Sequence, residues 1–274
     1  MMMRINLETN IDKNHRNAKF FFVISHSETK PFCMSEKVTV ITVCFNALEM
    51  LKKTMQSVEN QHYGNLEYII IDGGSTDGTK EYLQNYQGRL SKYVSESDKG
   101  IYDAMNKGTA MATGSYVLFL NAGDLFANDN TLENIFNNKN YDADVIYGDV
   151  LKADKNGILY TKPAEKPHNS HKMYFCHQSC LTKRECLLQN PFELRYKLSA
   201  DFNFFKTLTL KGKIFKQLNI PIAIFDTSGV SNTRRSKGLK ENISIVKNQD
   251  GFFDKIRLLP RLFFVYFYAK IRGK

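Results

Sequence analysis

The chain has 274 residues, with 38 Lys and Arg against 28 Asp and Glu for a formal net charge of +10. At roughly 100–200 residues per domain this is one large domain or two small ones, and 42% hydrophobic with 24% charged residues excludes general disorder. Five cysteines without framework spacing argue against a disulfide-stapled secreted domain and suit a reducing cytosol, and no run approaches the roughly 18 apolar residues of a membrane span.

Residues 1–34 are poor material for a fold. Met1-Met2-Met3 opens a polar, Asn-rich run, and Phe20–Ile24 is too short for the apolar part of a signal peptide. Met34 stands just ahead of the first strand, so the segment is expected to be a disordered extension upstream of the true start. A docking arm is the alternative.

From Val38 strands alternate with helices. Val38–Cys44 is β-branched and almost wholly apolar, as a strand covered on both faces must be. Leu48, Leu51, Met55 and Val58 recur at helical spacing. Leu66–Ile71 is a second strand and runs into a turn-dense loop, Asp72-Gly73-Gly74-Ser75-Thr76-Asp77-Gly78, that opens another helix. A third strand follows around Leu90–Val94, then a helix over Ile101–Met111, a fourth strand at Tyr116–Leu120 and a fifth at Asp144–Tyr147. This order predicts an α/β fold with a mostly parallel sheet and helices on both faces, whose ligands collect at the carboxyl ends of the strands.

After Asp149 the rhythm breaks. Lys152–Tyr160 reads as a hairpin turned at Asn156-Gly157. A His- and Cys-containing segment spans His168–Cys186, a helix covers Ala200–Leu210, and two strand-like runs, Ile214–Leu218 and Ile222–Phe225, close the region. The expected organisation is therefore an extension at 1–34, a ligand-binding half at 35–150, a smaller mixed half at 151–250, and a basic aromatic helix at 251–274.

Three strand ends present carboxylates: Asp72 after the second, Asp98 just past the third, and Asp124 after the fourth. Acids gathered at one sheet edge repel unless a cation or a hydrogen-bonding ligand sits among them. A phosphate-carrying ligand with Mg²⁺ or Mn²⁺ resolves that conflict. For any one loop the plainer reading is that Asp72 and Asp77 cap turns and helices. The glycines after Ile71 lack the G-x-G-x-x-G order, and no phosphate-binding G-x-x-x-x-G-K-[ST] occurs. No basic groove with interleaved aromatics marks residues 35–250, so nucleic acid is not an expected partner. His168, His171, Cys176, His177, Cys180 and Cys186 are crowded, but their spacing matches no paired C-x₂-C zinc site.

The basic excess belongs to the tail. From Lys255 onward there are six cations and no acid. Leu258, Leu262, Val265 and Ala269 can share one helical face, while Phe263, Phe264, Phe267 and Tyr268 leave little of the circumference polar. Such a helix suits the headgroup layer of an anionic membrane, with packing on the protein's own core as the alternative.

The segments VTVITVCFNA at 38–47, EYIIIDGGSTDGT at 67–79, SDKGIYDAMNKGTAMATG at 97–114 and LFLNAGD at 118–124 resemble the inverting glycosyltransferases of family 2. The nearest subset is that of bacterial enzymes building O-antigen and other surface polysaccharides. CHQS at 176–179, SADFNF at 199–204 and SGVS at 228–231 are similar as well. The resemblance implies the GT-A fold, a nucleotide-binding sheet merged with an acceptor-binding region. It implies that Phe45, Asn46, Asp72, Asp98, Lys99 and Asn106 line a nucleotide-sugar donor, by default a UDP-sugar. Asp124 would hold Mn²⁺ or Mg²⁺ on the diphosphate, Asp201 would be the general base, and His177 and Gln178 would face the acceptor. That acceptor would be a glycan or lipid-linked glycan, met in the cytoplasm or at the inner face of the membrane. Many relatives read D-x-D-D where this chain has Asn121-Ala122-Gly123-Asp124, so two of the three acids are missing. A degenerate non-catalytic member docked on a membrane, and a sugar nucleotidyltransferase, are the alternatives. The second needs a basic glycine-rich loop after the first strand, and Cys44-Phe45-Asn46-Ala47 is not one.

Overall fold

The computed structural model describes residues 36–137, 139–153, 156–227 and 235–271. The expected N-terminal extension and the motif at 228–231 lie outside the described residues.

Strands β1 (Val38–Cys44), β2 (Leu66–Asp72), β3 (Lys92–Ser95) and β4 (Tyr116–Phe119) pair in parallel in the order β3-β2-β1-β4. Every residue of β1 is buried because both faces are covered. Ile41 and Val43 join one core with Tyr102 and Met105 of α3 (Ile101–Met111) and Phe202, Phe205 and Leu208 of α6 (Ala200–Leu210). Val38 and Val40 join the opposite core with Leu51, Met55 and Val58 of α1 (Leu48–Glu59), Leu83 of α2 (Thr79–Gln84) and Leu132 and Ile135 of α4 (Thr131–Phe136). Each such side chain contributes about 1.5–3 kcal/mol on burial, which is why the strand tolerates no polar face.

Beyond β4 the sheet turns mixed. Strand β8 (Cys180–Lys183) inserts antiparallel between β4 and β6 (Val145–Ala153), and β9 (Phe215–Phe225) runs parallel to β6. Strand β5 (Leu125–Phe126) closes that edge, and β7 (Leu159–Lys162) forms the expected hairpin with β6, pairing Lys152 with Tyr160. One sheet therefore runs through both expected halves.

Several expectations shift. The third strand begins two residues later than expected, and the fifth continues past Tyr147 to Ala153. The two runs at 214–225 are one strand, in which Pro221 sits where the register against β6 slips. Proline donates no hydrogen bond, so it is tolerated at such an irregularity. Helix α4, strand β8 and helix α5 (Arg184–Gln189) were not anticipated.

Helix α7 (Arg235–Gln249) docks on the main core through Ile245. Its Ile243 and Val246 meet Leu258 and Leu262 of α8 (Phe252–Ile271) in a separate small core. A buried ion pair, Lys206 Nζ to Asp250 Oδ2 at 2.9 Å, ties α6 to the joint between these two helices.

Candidate active site

The strand ends meet along one edge. After β1, Phe45 is exposed and Asn46 takes a left-handed backbone with φ of 48°. The Asn46 N–H donates to Ser75 Oγ at 2.7 Å, and its Oδ1 accepts the Thr76 N–H at 2.9 Å, which laces the glycine loop to the start of α1. Asp77 serves there as a cap, accepting the Leu48 N–H at 2.9 Å and the Thr79 hydroxyl at 2.6 Å. Asp72 is fully buried and accepts from Ser75 and, at 2.7 Å, from the Ser95 hydroxyl. A Cβ on Gly73 would lie 2.6 Å from Asp98 Oδ2 and 3.4 Å from Phe45 Cδ2. The bare glycine is what lets those two side chains converge.

Asp98 also accepts the Gly100 N–H at 2.7 Å. The Lys99 N–H donates to Asp103, and its carbonyl receives Lys197 Nζ at 3.1 Å. Asn106 spends both ends of its amide on the backbone of Phe192, each bond 2.9 Å long, and so clamps α3 to the segment before α6.

The turn after β4 is held by Thr54 of α1, whose buried Oγ1 accepts the Gly123 N–H at 2.9 Å and donates to the Asp124 carbonyl at 2.9 Å. Asp124 is 3% exposed, and its Oδ1 accepts the Asp226 N–H at 2.9 Å. Burial pushes its carboxyl up to about 6, with the Asp226 charge adding to the rise; the Asp226 N–H, His177 and the Gln178 amide act against it. Lys152 lies near, its ammonium 4.5 Å from the Phe225 ring centroid.

Asp201 occupies the first turn of α6. Its Oδ1 accepts the Tyr102 hydroxyl at 3.0 Å, and its Oδ2 lies 3.2 Å from His177 Nδ1. Burial alone would raise this carboxyl, yet His177, the Phe202 N–H and Tyr102 together hold it below the ordinary carboxylate range. His177 Nε2 and Asn121 Oδ1 are buried with no partner among the described residues. Gln178 is buried, accepts the Cys176 thiol at 2.8 Å and has its amide beside Asp124. Cys176 is itself pushed up to about 12 by burial, which makes it a packing group and not a nucleophile.

Consecutive residues His177 and Gln178 therefore lie beside the two carboxylates of the site, His177 against Asp201 and Gln178 next to Asp124. Phe45, Asp98 and Gly73 gather at the other side, while Asn106 faces the protein's own backbone. Three contributors carry no mark in the sequence reading: Thr54, Tyr102 and Asp226. Tyr102 lies inside the quoted segment at 97–114, which gave no reason to single it out. Asp226 belongs to no motif at all. Among the described residues no group of three or more His, Cys, Asp or Glu is arranged to hold a metal ion.

The family model for glycosyl transferase family 2 matches residues 39–197. A PGL/p-HBAD biosynthesis glycosyltransferase of Mycobacterium bovis is 28% identical over 203 residues, covering 71% of this chain and 79% of that protein. Among solved structures, S. aureus TarS 1–349 in complex with UDP-GlcNAc superposes with a TM-score of 0.60 at 16% identity, over 78% of this chain and 68% of that one. The mannosyltransferase PcManGT from Pyrobaculum calidifontis, in complex with GDP-Man and Mn²⁺, gives a TM-score of 0.61 at 18% identity, over 80% of this chain and 66% of that one. At such identities the likeness shows the fold, which is GT-A.

Proposed function

The chain belongs to glycosyl transferase family 2, and we propose that it transfers a sugar from a nucleotide-sugar donor to a glycan acceptor, with inversion, in building a bacterial surface glycan. The observation that carries this reading is that the adjacent residues His177 and Gln178 lie beside two carboxylates, His177 Nδ1 at 3.2 Å from Asp201 Oδ2 and Gln178 next to Asp124. In this reading Asp124 serves the donor and Asp201 the acceptor. The Mycobacterium bovis relative is by its name a glycosyltransferase of PGL/p-HBAD biosynthesis, which supports a biosynthetic sugar-transfer role.

In the proposed reaction Asp201 takes the proton of the acceptor hydroxyl as that oxygen attacks the anomeric carbon. The new C–O bond forms on the face opposite the diphosphate, which leaves with the electron pair of the breaking bond. One base suffices, because inversion needs no covalent intermediate. Tyr102 and His177 keep Asp201 ionised and aimed. Phe45, Asn46, Asp98 and Lys99 line the nucleotide, Asp72 being fully buried beneath them and engaged by Ser75 and Ser95, and UDP is the default nucleotide by resemblance.

The donor set at Asp124 suits Mn²⁺ or Mg²⁺. The carboxylate is an oxygen ligand, and Asn121 Oδ1, at the head of the same turn, is a buried oxygen with no partner among the described residues. A cation held there would supply positive charge to the leaving diphosphate. Exposed Phe253, Phe264 and Phe267, with Arg261 and Lys270 on the same helix, suit contact with an anionic membrane carrying a lipid-linked acceptor. No described helix is long and apolar enough to cross a membrane.

A screen of UDP-, GDP- and dTDP-sugars with Mn²⁺ by thermal shift, followed by mass-spectrometric detection of sugar transfer, tests the reading. One donor class should raise the melting temperature and release nucleoside diphosphate. Stabilisation without turnover on any acceptor would favour the non-catalytic alternative that Asn121 and Gly123 keep open. No stabilisation by any donor would overturn the proposal.

A further inference from the structure

Position 123 is glycine for a reason that lies a hundred residues away. Gly123 has φ of +102°, and a Cβ built on it would sit 2.8 Å from Asp226 Oδ2. The Asp226 carboxylate occupies the space that a side chain at 123 would fill. The Asp226 N–H meanwhile donates to Asp124 Oδ1 at 2.9 Å, which fixes the two acids side by side. Strand β9 delivers this contact: its pairing with β5 sets Ile224 opposite Leu125, and Asp226 emerges one residue past the strand's end.

We infer that Asp226 is a second carboxylate of the cation site, supplying from the end of β9 the oxygen that the 121–124 turn lacks at position 123. The inference rests on the cation-assisted transfer reading above. The Asp124 and Asp226 carboxylates flank the turn at Gly123, and Asn121 Oδ1 at its head is a buried oxygen with no partner among the described residues. Hard divalent cations choose oxygen ligands, and a donor diphosphate completes the shell. The competing account is a purely structural pair of acids balanced by Lys152 and His177, both of which lie near Asp124.

Mn²⁺ binding to the full chain, followed by electron paramagnetic resonance with and without UDP, separates the two. Asp226→Asn keeps the backbone donor and nearly the same shape, so circular dichroism should be unchanged. Its Mn²⁺ affinity should fall by at least roughly the 10–100-fold that loss of a supporting group costs a metal site. Asp226→Cys adds a thiolate and should move preference from Mn²⁺ towards Cd²⁺ relative to wild type, which a structural acid would not do. Unchanged Mn²⁺ affinity in Asp226→Asn, with loss in Asp124→Asn, would overturn the inference. So would an Asp226→Cys protein with wild-type metal preference. A wild type that binds and transfers a UDP-sugar without taking up Mn²⁺ would sink this inference and leave the transfer reading standing; one that binds no donor would sink both.

Discussion

The Tyr102 hydroxyl lies 3.0 Å from Asp201 Oδ1, joining the first turn of α3 to the first turn of α6 across ninety-nine residues. Both side chains are buried enough that a missing donor cannot be replaced freely by water. Asp201 is held below the ordinary carboxylate range against its own burial, so each donor it loses lets its pKa rise. Tyr102→Phe removes one hydrogen bond to a charged group, worth about 1.5–3 kcal/mol. The acid limb of the kcat/KM profile should then move to higher pH by about one to two units. An unmoved limb would mean that Tyr102 serves packing alone.

Asp201→Asn retains shape and loses the base. Sugar transfer should drop by roughly the 10²–10⁴-fold typical of a lost general base, while calorimetric donor affinity stays near wild type. Near-normal transfer would place the base elsewhere. Donor affinity falling in step with transfer would make Asp201 a binding group.

Gly108 sets two effects against each other in α3. Alanine is the better helix former by about 1 kcal/mol. A Cβ at this position, however, would meet Ile41 Cγ2 at 2.6 Å and Ile71 Cγ1 at 3.3 Å, and both isoleucines are fully buried. Overpacking of that kind costs about 1–3 kcal/mol, so Gly108→Ala should destabilise. A lower urea midpoint with unchanged slope is the expected result; a higher midpoint would mean the helix can lift off β1 and β2 at little cost.

Lys206 and Asp250 form an ion pair with no exposed side-chain surface. Burial depresses the Lys206 pKa, and the bonds to Asp250 partly restore it. Lys206→Met strands the Asp250 charge among α6, α7 and α8 and should cost about 3–5 kcal/mol. Lys206→Met with Asp250→Leu should recover most of that loss in denaturant titrations. If the single and double variants are equally unstable, the packing of the lysine stem matters more than its charge.

Helix α8 resolves the choice between core and surface by doing one on each side. Leu258, Leu262 and Ala269 are buried, whereas Phe253, Phe264 and Phe267 are exposed. The triple variant Phe253→Ser, Phe264→Ser, Phe267→Ser should therefore keep its thermal stability and lose binding to phosphatidylglycerol vesicles. Salt should weaken the parent's binding only in part, because screening acts on attraction of about 1 kcal/mol per basic residue and not on apolar burial. Equal vesicle binding by parent and variant would remove the membrane role.

The alternation of strands and helices, both-faced burial of β1, β2 and β4, and the bounds of α3 and α6 follow from local pattern alone. Long apolar runs and helical spacing leave few alternatives once a core must be buried. The same holds for the strand-end acids, which the parallel order places on one edge before any coordinate is known.

What only the tertiary structure decided is which distant segments become neighbours. Cys180–Lys183 is too short for a periodicity to mark it, yet its insertion between β4 and β6 is what carries His177 and Gln178 to Asp201 and Asp124. The runs at 214–218 and 222–225 read as two strands, and the register slip at Pro221 lets them pair with β6 as one. Asp226 carries no local signal, because its position depends on β9 pairing with β5, a contact between residues about a hundred apart. Hydrophobic pattern specifies what must be buried; sheet order, fixed only when all strands compete for partners at once, specifies what the buried strands bring together.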